Sequence, residues 1–386
     1  MEGSVRKRGK KWYYRFSIAP KDGKYRQIER YGGETRKEAL NALRTALNLY
    51  HNTGTIPNEG KLSANDFFEY WYKNYVLQQL AKNTQINYRN ILDKYILPKL
   101  GIYNLEELRP ATLQDFINNV SQSTDYKPDH TKLSKHTIEI ILMVVKEALK
   151  YAVYPLQILS NSPALYIKMP KIDEPAKSRD DLKIITVKQF SQIIDFFGKD
   201  NPKAIPFFIA FYTGMRRGEV TGLEWNNVDL INGEINVIQQ MKQFSAHDIR
   251  VGRLKTPASR RTVLIGNELV SILKKQRLQQ SENRLRYGKR YYESDFVCTK
   301  ENGKPITPNS IKYLSDTVHR QLGFPFNFHS LRHTHATLLL EAGAKPKEVQ
   351  VRLGHSKIEV TMNTYVHLTD KKKRETAQLF ENIAKF

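Results

Sequence analysis

Apolar positions along this chain follow a period of two in two short stretches and a period between three and four almost everywhere else. Residues 11–18 (KWYYRFSI) and 25–31 (YRQIERY) alternate as strands. Between them Lys21-Asp22-Gly23-Lys24 carries an Asp-Gly turn signal. Thr35 followed three residues later by Glu38 makes a capping box. It opens a helix to about Tyr50, with Ala39, Leu40, Leu43, Ala46, Leu47 and Tyr50 at helical spacing. Residues 1–55 therefore predict a three-stranded sheet plus one helix, two of whose strands are legible. The segment 54–60 (GTIPNEG) has the composition of a linker.

Residues 62–168 predict an all-helical domain. Ser63 opens one helix, rich in Phe67, Phe68, Tyr70 and Trp71, and a second covers 83–96 and stops before Pro98. A third spans 112–120, and a fourth runs from about Ser134 to Val153 with Ile138, Ile141, Leu142, Val145 and Leu149 on one stripe. Residues 169–181 (MPKIDEPAKSRDD) read as a second linker. The last domain, 182–386, mixes helices with a short antiparallel sheet, its strands expected at 234–240 and 261–265. The fold class is multidomain, mainly α with small β-sheets.

Charge narrows the partner. The chain has 386 residues, 62 Lys and Arg against 39 Asp and Glu, and a formal net charge of +23. A polyanion is the natural partner, because each phosphate contact releases counterions. Ribosomal and membrane-surface proteins share such charge, so it does not by itself define chemistry. In the first fifty residues Arg and Lys interleave with Trp12, Tyr13 and Tyr14, which suits a strand face laid into a DNA groove through Lys11, Tyr13 and Arg15. A solvated basic hairpin with an aromatic core face is the alternative. In the helical domain Lys82, Asn83, Thr84, Gln85, Tyr88 and Arg89 form the expected DNA-facing set, against a plain solvated helix start. The single cysteine, Cys298, excludes an internal disulfide framework and a cysteine-based zinc site. No apolar stretch fits a signal peptide or a membrane span, so a cytoplasmic protein is expected.

Four segments of the last domain carry the candidate chemistry. Tyr212-Thr213-Gly214-Met215-Arg216-Arg217-Gly218-Glu219 follows an apolar run; Gly214 ends one helix in a left-handed cap and Arg216 sits where the next begins. Leu254-Lys255-Thr256-Pro257 places a lysine near a hairpin tip. His329-Ser330-Leu331-Arg332-His333-Thr334-His335 puts His329 and Arg332 on one helix face. His333 and His335 suit structural roles, since no HExxH pattern or acidic ligand accompanies the three histidines. Leu353-Gly354-His355-Ser356 is followed ten residues after His355 by Tyr365. Phosphodiester transfer without a metal needs these parts: guanidiniums on the non-bridging oxygens, a phenol nucleophile, an imidazole to take its proton and an acid for the leaving oxygen.

In order and spacing, Arg216 in TGMRRGE, Lys255 in LKTPASRR, His329 and Arg332 in HSLRH, His355 in LGHS and Tyr365 in NTYVH resemble the signature of the tyrosine recombinase family, with phage and conjugative-transposon integrases most alike. The resemblance extends to the helical domain, similar to the family's core-DNA-binding domain, and to the N-terminal sheet and helix, similar to an arm-binding domain. It implies that Arg216 and Arg332 bind the scissile phosphate, His329 is general base, His355 bonds a phosphate oxygen, Lys255 protonates the 5′-oxygen and Tyr365 holds the 3′-phosphate. Glu219 is expected to buttress Arg216. The resemblance further implies a homotetramer on core and arm DNA sites, a Holliday junction, no cofactor or metal, a bacterial, nucleoid-associated setting, and an excisionase or host DNA-bending factor as accessory partner. The apolar stripe Leu379, Phe380, Ile383 and Phe386 is expected to pack on a neighbouring subunit or on its own domain. A type IB topoisomerase, a DNA-binding regulator without chemistry and a metal nuclease are the rival readings.

Overall fold

In the computed structural model the described residues are 3–18, 26–53, 62–172, 183–254, 256–356, 358 and 381. The Asp22-Gly23 turn, both linker centres, Lys255, Tyr365 and the apolar tail stripe lie outside them. The chain divides into two compact units, Met1–Glu174 and Pro175–Phe386.

The first unit opens with three antiparallel strands in sequential order: β1 (Gly3–Arg8), β2 (Lys11–Ile18) and β3 (Arg26–Gly33). Gly9, at φ +61°, makes the tight turn that brings Arg8 opposite Lys11. Alternation then sends Tyr14 and Phe16 to one face with Ile28. Helix α1 (Arg36–Thr53) covers that face with Leu43 and Ala46. Its start is capped as the sequence predicts: the Glu38 amide donates to Thr35 Oγ1 at 3.2 Å, and the Thr35 amide donates to the Glu38 carboxylate at 3.3 Å.

A second, separate core is wholly helical: α2 (Ala64–Trp71), α3 (Leu77–Gln79), α4 (Lys82–Ile91), α5 (Leu97–Leu100), α6 (Pro110–Gln122) and α7 (Lys135–Val153). Ser63 and Ser134 cap α2 and α7 by accepting from the amides of Asp66 and Thr137. The expected stripe on α7 is buried, and α6 begins at Pro110, where a missing amide costs nothing. One boundary differs from expectation. The helix does not stop before Pro98 but continues to Leu100. A π turn at Leu92–Ile96 precedes the proline, and the Leu97 amide donates five residues back to Leu92. The widened turn absorbs the lost donor and the clash a proline makes with a regular helix.

The second unit contains α8 (Val187–Phe197), α9 (Ile205–Thr213), α10 (Arg217–Thr221), β4 (Val228–Asp229), β5 (Glu234–Val237), β6 (Gln239–Gln243), β7 (Ile249–Arg253), β8 (Arg261–Leu264), α11 (Asn267–Tyr287), α12 (Pro308–Leu322), α13 (Phe328–Glu341) and α14 (Pro346–Leu353). Helix α9 is buried along residues 205–210 and lies in the core with Leu331 and Phe328 of α13. The expected strand at 234–240 is two strands in two sheets: β5 lies between β4 and β8, while β6 pairs with β7. The chain divides there because α10 seizes the second half. A side chain at Gly222 would sit 2.5 Å from the Met241 amide, and Gln239 Nε2 donates to the Gly222 carbonyl at 3.0 Å. Strand β7 was hidden because its apolar residues, Ile249 and Val251, both point to solvent.

Candidate active site and DNA-facing surfaces

Gly214 ends α9 in the left-handed conformation, at φ +66° and ψ 17°. Two residues later the extended Arg216 caps α10. The corner is tight: a side chain at Gly214 would lie 2.5 Å from Leu353 Cδ2 and 2.9 Å from His335 Cδ2. Helices α13 and α14 therefore reach the same point from other parts of the chain.

Three arginines converge on the end of α14. Arg261 Nε donates to the Arg352 carbonyl at 2.6 Å, Arg332 Nη2 to the Leu353 carbonyl at 2.8 Å, and Arg216 Nη2 to the Gly354 carbonyl at 3.0 Å. Carbonyls at a helix C-terminus lack intrahelical donors and carry the negative end of the helix dipole, which suits cations. Arg332 Nη1 also donates to the Gly214 carbonyl at 2.7 Å, so this buried guanidinium joins the α9 corner to the end of α14.

Glu219 buttresses Arg216 as the sequence leads one to expect. Its carboxylate accepts from Arg216 Nη1 at 2.7 Å, from the Arg216 amide at 2.9 Å and from Arg261 Nη2 at 3.0 Å. Burial works to raise its pKa, but Arg261 and then Arg216 outweigh it and hold the group below the usual carboxylate range. The Arg261 half of this bridge is deeply buried, with side chains 5% and 2% exposed.

His329 and His333 stand one turn apart with rings 4.7 Å apart, edge to face. Burial, then His333 and the cations Arg332 and Arg216, push His329 down to about 4. Burial, then Arg332 and Arg216, push His355 down to about 3. Both imidazoles therefore feel both guanidiniums, and both are neutral at pH 7. His335 is structural: its Nδ1 donates to the Phe211 carbonyl at 2.8 Å and its Nε2 accepts from Arg352 Nε at 3.0 Å. A cleft of about 500 Å³ opens beside Arg216, Arg217, Lys312, Asn327 and His329.

Of the six expected catalytic residues, Arg216, His329, Arg332 and His355 gather in one place, while Lys255 and Tyr365 lie outside the described residues. The Pro257–Ser259 turn, close after Lys255, approaches the same spot: the Ala258 carbonyl would be 3.2 Å from a side chain at Gly354. Arg261 and Arg352 were not singled out from the sequence. Arg261 shares a strand face with buried Val263, and an inward-facing arginine is the signal that could have marked it.

On the N-terminal sheet the face away from α1 carries Arg6, Arg8, Lys11, Tyr13, Arg15 and Tyr31. Arg8 lies over Tyr13 at 5.8 Å, Lys11 over Tyr31 at 5.4 Å, and Arg15 Nε donates to Ser4 Oγ at 2.8 Å. Glu29 neutralises Arg6 there, at 2.6 Å. On α4, Lys82 and Asn83 are exposed and Thr84 is half-buried. Gln85 and Tyr88 turn inward. Gln85 Nε2 donates to the Leu77 and Leu80 carbonyls at 3.1 and 2.7 Å, and Tyr88 is buried on Trp71. Arg89 is clamped between Glu69, at 2.9 Å, and Asp93, which raise its pKa further. Those carboxylates stand one turn along the chain and on the facing helix α2, and the pairs are solvent-exposed.

Three family descriptions match the chain: Phage integrase family over residues 183–372, Phage integrase N-terminal SAM-like domain over 65–121, and Arm DNA-binding domain over 4–48. The chain is 28% identical to a tyrosine recombinase XerC-like protein of Caldanaerobacter subterraneus, over 98% of this chain and 97% of that one. It is 29% identical to the integrase of Staphylococcus phage L54a, over 72% and 81% of the respective chains. Its fold is similar to the Tn1549 transposon integrase solved in complex with transposon right end DNA, at 20% identity and TM-score 0.64, over 82% of this chain and 99% of that one. The chain belongs to the phage integrase family of tyrosine recombinases.

Proposed function

We propose that this protein is a site-specific DNA recombinase that integrates or excises a mobile element by cutting and rejoining DNA through a phosphotyrosine. The observation that carries the reading is the gathering of Arg216, Arg332, His329 and His355 around the end of α14. Arg216 and Arg332 grip the non-bridging oxygens of the scissile phosphate. The Tyr365 phenol attacks phosphorus and gives its proton to neutral His329. The phosphorus–O5′ bond breaks, and the leaving oxygen takes a proton from the Lys255 ammonium. The products are a 3′-phosphotyrosine and a 5′-hydroxyl, and attack by a second strand's 5′-hydroxyl reverses the steps. The new bond keeps the energy of the old one, so no nucleotide hydrolysis is required. His355 bonds a phosphate oxygen.

The three modules are assigned as an arm-site domain at 1–55, a core-site domain at 62–168 and a catalytic domain at 182–386. Lys11, Tyr13 and Arg15 face arm DNA, and Lys82 and Thr84 face core DNA. Exchange of both strands requires a homotetramer on two sites and a Holliday junction, with an excisionase or DNA-bending protein setting direction. A cytoplasmic, nucleoid-associated setting follows from the substrate. Among the described residues no helix is long and apolar enough to cross a membrane.

The test is incubation with a nicked attachment-site duplex. The wild type is expected to form an SDS-resistant protein–DNA adduct, in EDTA as well as without it. Tyr365→Phe should bind the duplex equally well and form none. An adduct with Tyr365→Phe would end the assignment.

A further inference from the structure

Arg352 lies three residues before His355 and reaches away from the phosphate site. Its guanidinium makes three bonds to three other segments: Nε to His335 Nε2 at 3.0 Å, Nη1 to the Leu264 carbonyl at 3.1 Å and Nη2 to the Tyr212 carbonyl at 3.1 Å. Those acceptors belong to α13, to the end of β8 and to the end of α9. Its own main-chain carbonyl is fixed by Arg261, and the next two carbonyls accept Arg332 and Arg216. Helix α14 has only eight residues and a small core of Ala336, Leu340, Val349 and Leu353. So short a helix is weakly held by packing alone. A carbonyl directs a guanidinium only if the carbonyl itself is immobile.

Resting on the assignment of Arg216 and Arg332 to the scissile phosphate, we infer that Arg352 is a positioning residue for both. It pins the last turn of α14 to the α9 corner, β8 and α13, so that the carbonyls of Leu353 and Gly354 aim the two guanidiniums. His335 completes the device by presenting a fixed acceptor, its other nitrogen being committed to the Phe211 carbonyl. The two phosphate-binding arginines are therefore set by one helix terminus and fail together when it loosens.

The experiment measures single-turnover adduct formation by the full chain on a nicked duplex spanning the junction of the encoding element with its flanking DNA. Duplex affinity and thermal midpoint are measured beside it. Arg352→Gln is expected to bind within about threefold of wild type and cleave about 10- to 100-fold more slowly, the range a small misplacement of reacting groups produces. Arg352→Lys and His335→Gln keep part of the device and should lose less, in the same direction, which covers poor folding of the first variant. The deciding measurement is the double variant with Arg216→Lys. If Arg352 acts through Arg216, the combined loss falls short of the product of the single losses; a merely structural role would multiply them. Cleavage by all three variants at the wild-type rate, or fully multiplicative losses, would overturn the inference. Absence of any adduct from the wild type would overturn the phosphate assignment beneath it instead.

Discussion

At the scale of single residues, the buried histidines set a pH dependence. His329 and His335 are held at about 4 and His355 at about 3, against an ordinary value near 6.5. The folded state keeps these rings neutral, whereas the unfolded chain protonates them as pH falls through 6.5. The unfolded state thus binds more protons between about 6.5 and 4, so stability is full above that window and falls as pH drops through it. Thermal melts should show the midpoint descending from pH 6.5 towards 4. His335→Gln should flatten that slope, and an unchanged slope would contradict the burial argument. The residue types of this site were legible in the sequence as four short motifs. The second arginine on the buried Glu219 was not: Arg260 and Arg261 look alike in composition, and it is Arg261 that bonds Glu219 and the Arg352 carbonyl.

At the scale of elements, the αL turn at Gly214 carries a sharp expectation. Its φ of +66° disfavours any side chain, and the space beside it is filled by Leu353 and His335. Gly214→Ala should cost about 1–3 kcal/mol from left-handed strain and overpacking together, read as a lowered thermal midpoint. It should slow adduct formation as well, because the Gly214 carbonyl is an acceptor of Arg332. A stable, fully active alanine variant would show that the corner is not under strain. Elements with strong periodicity, such as α1 and α7, were legible with their caps. The missed features follow from local geometry that periodicity does not record. A π turn carries α5 past Pro98, and the close approach of Gly222 to Met241 divides one expected strand into β5 and β6.

At the scale of the whole molecule, a net charge of +23 makes DNA affinity steeply dependent on salt. Replacing a side chain that touches a phosphate should reduce the slope of log affinity against log salt by about 0.9 per contact. Lys11→Ala and Arg15→Ala are expected to do so on arm-site duplex and to leave the slope on core-site duplex unchanged. Equal slopes for variant and wild type on the arm site would remove that face from the DNA interface. Arg89 is not expected to contribute to either slope, because Glu69 and Asp93 already occupy it.

The three arginines that meet the carbonyls of residues 352, 353 and 354 also make α14 a ruler. One residue more or fewer between Pro346 and Leu353 turns everything beyond it by about 100°. Each guanidinium would then face a neighbour's acceptor or none. The length of this helix therefore matters more than the side chains on its outer face, and an insertion there would misdirect Arg332 and Arg216 without touching either.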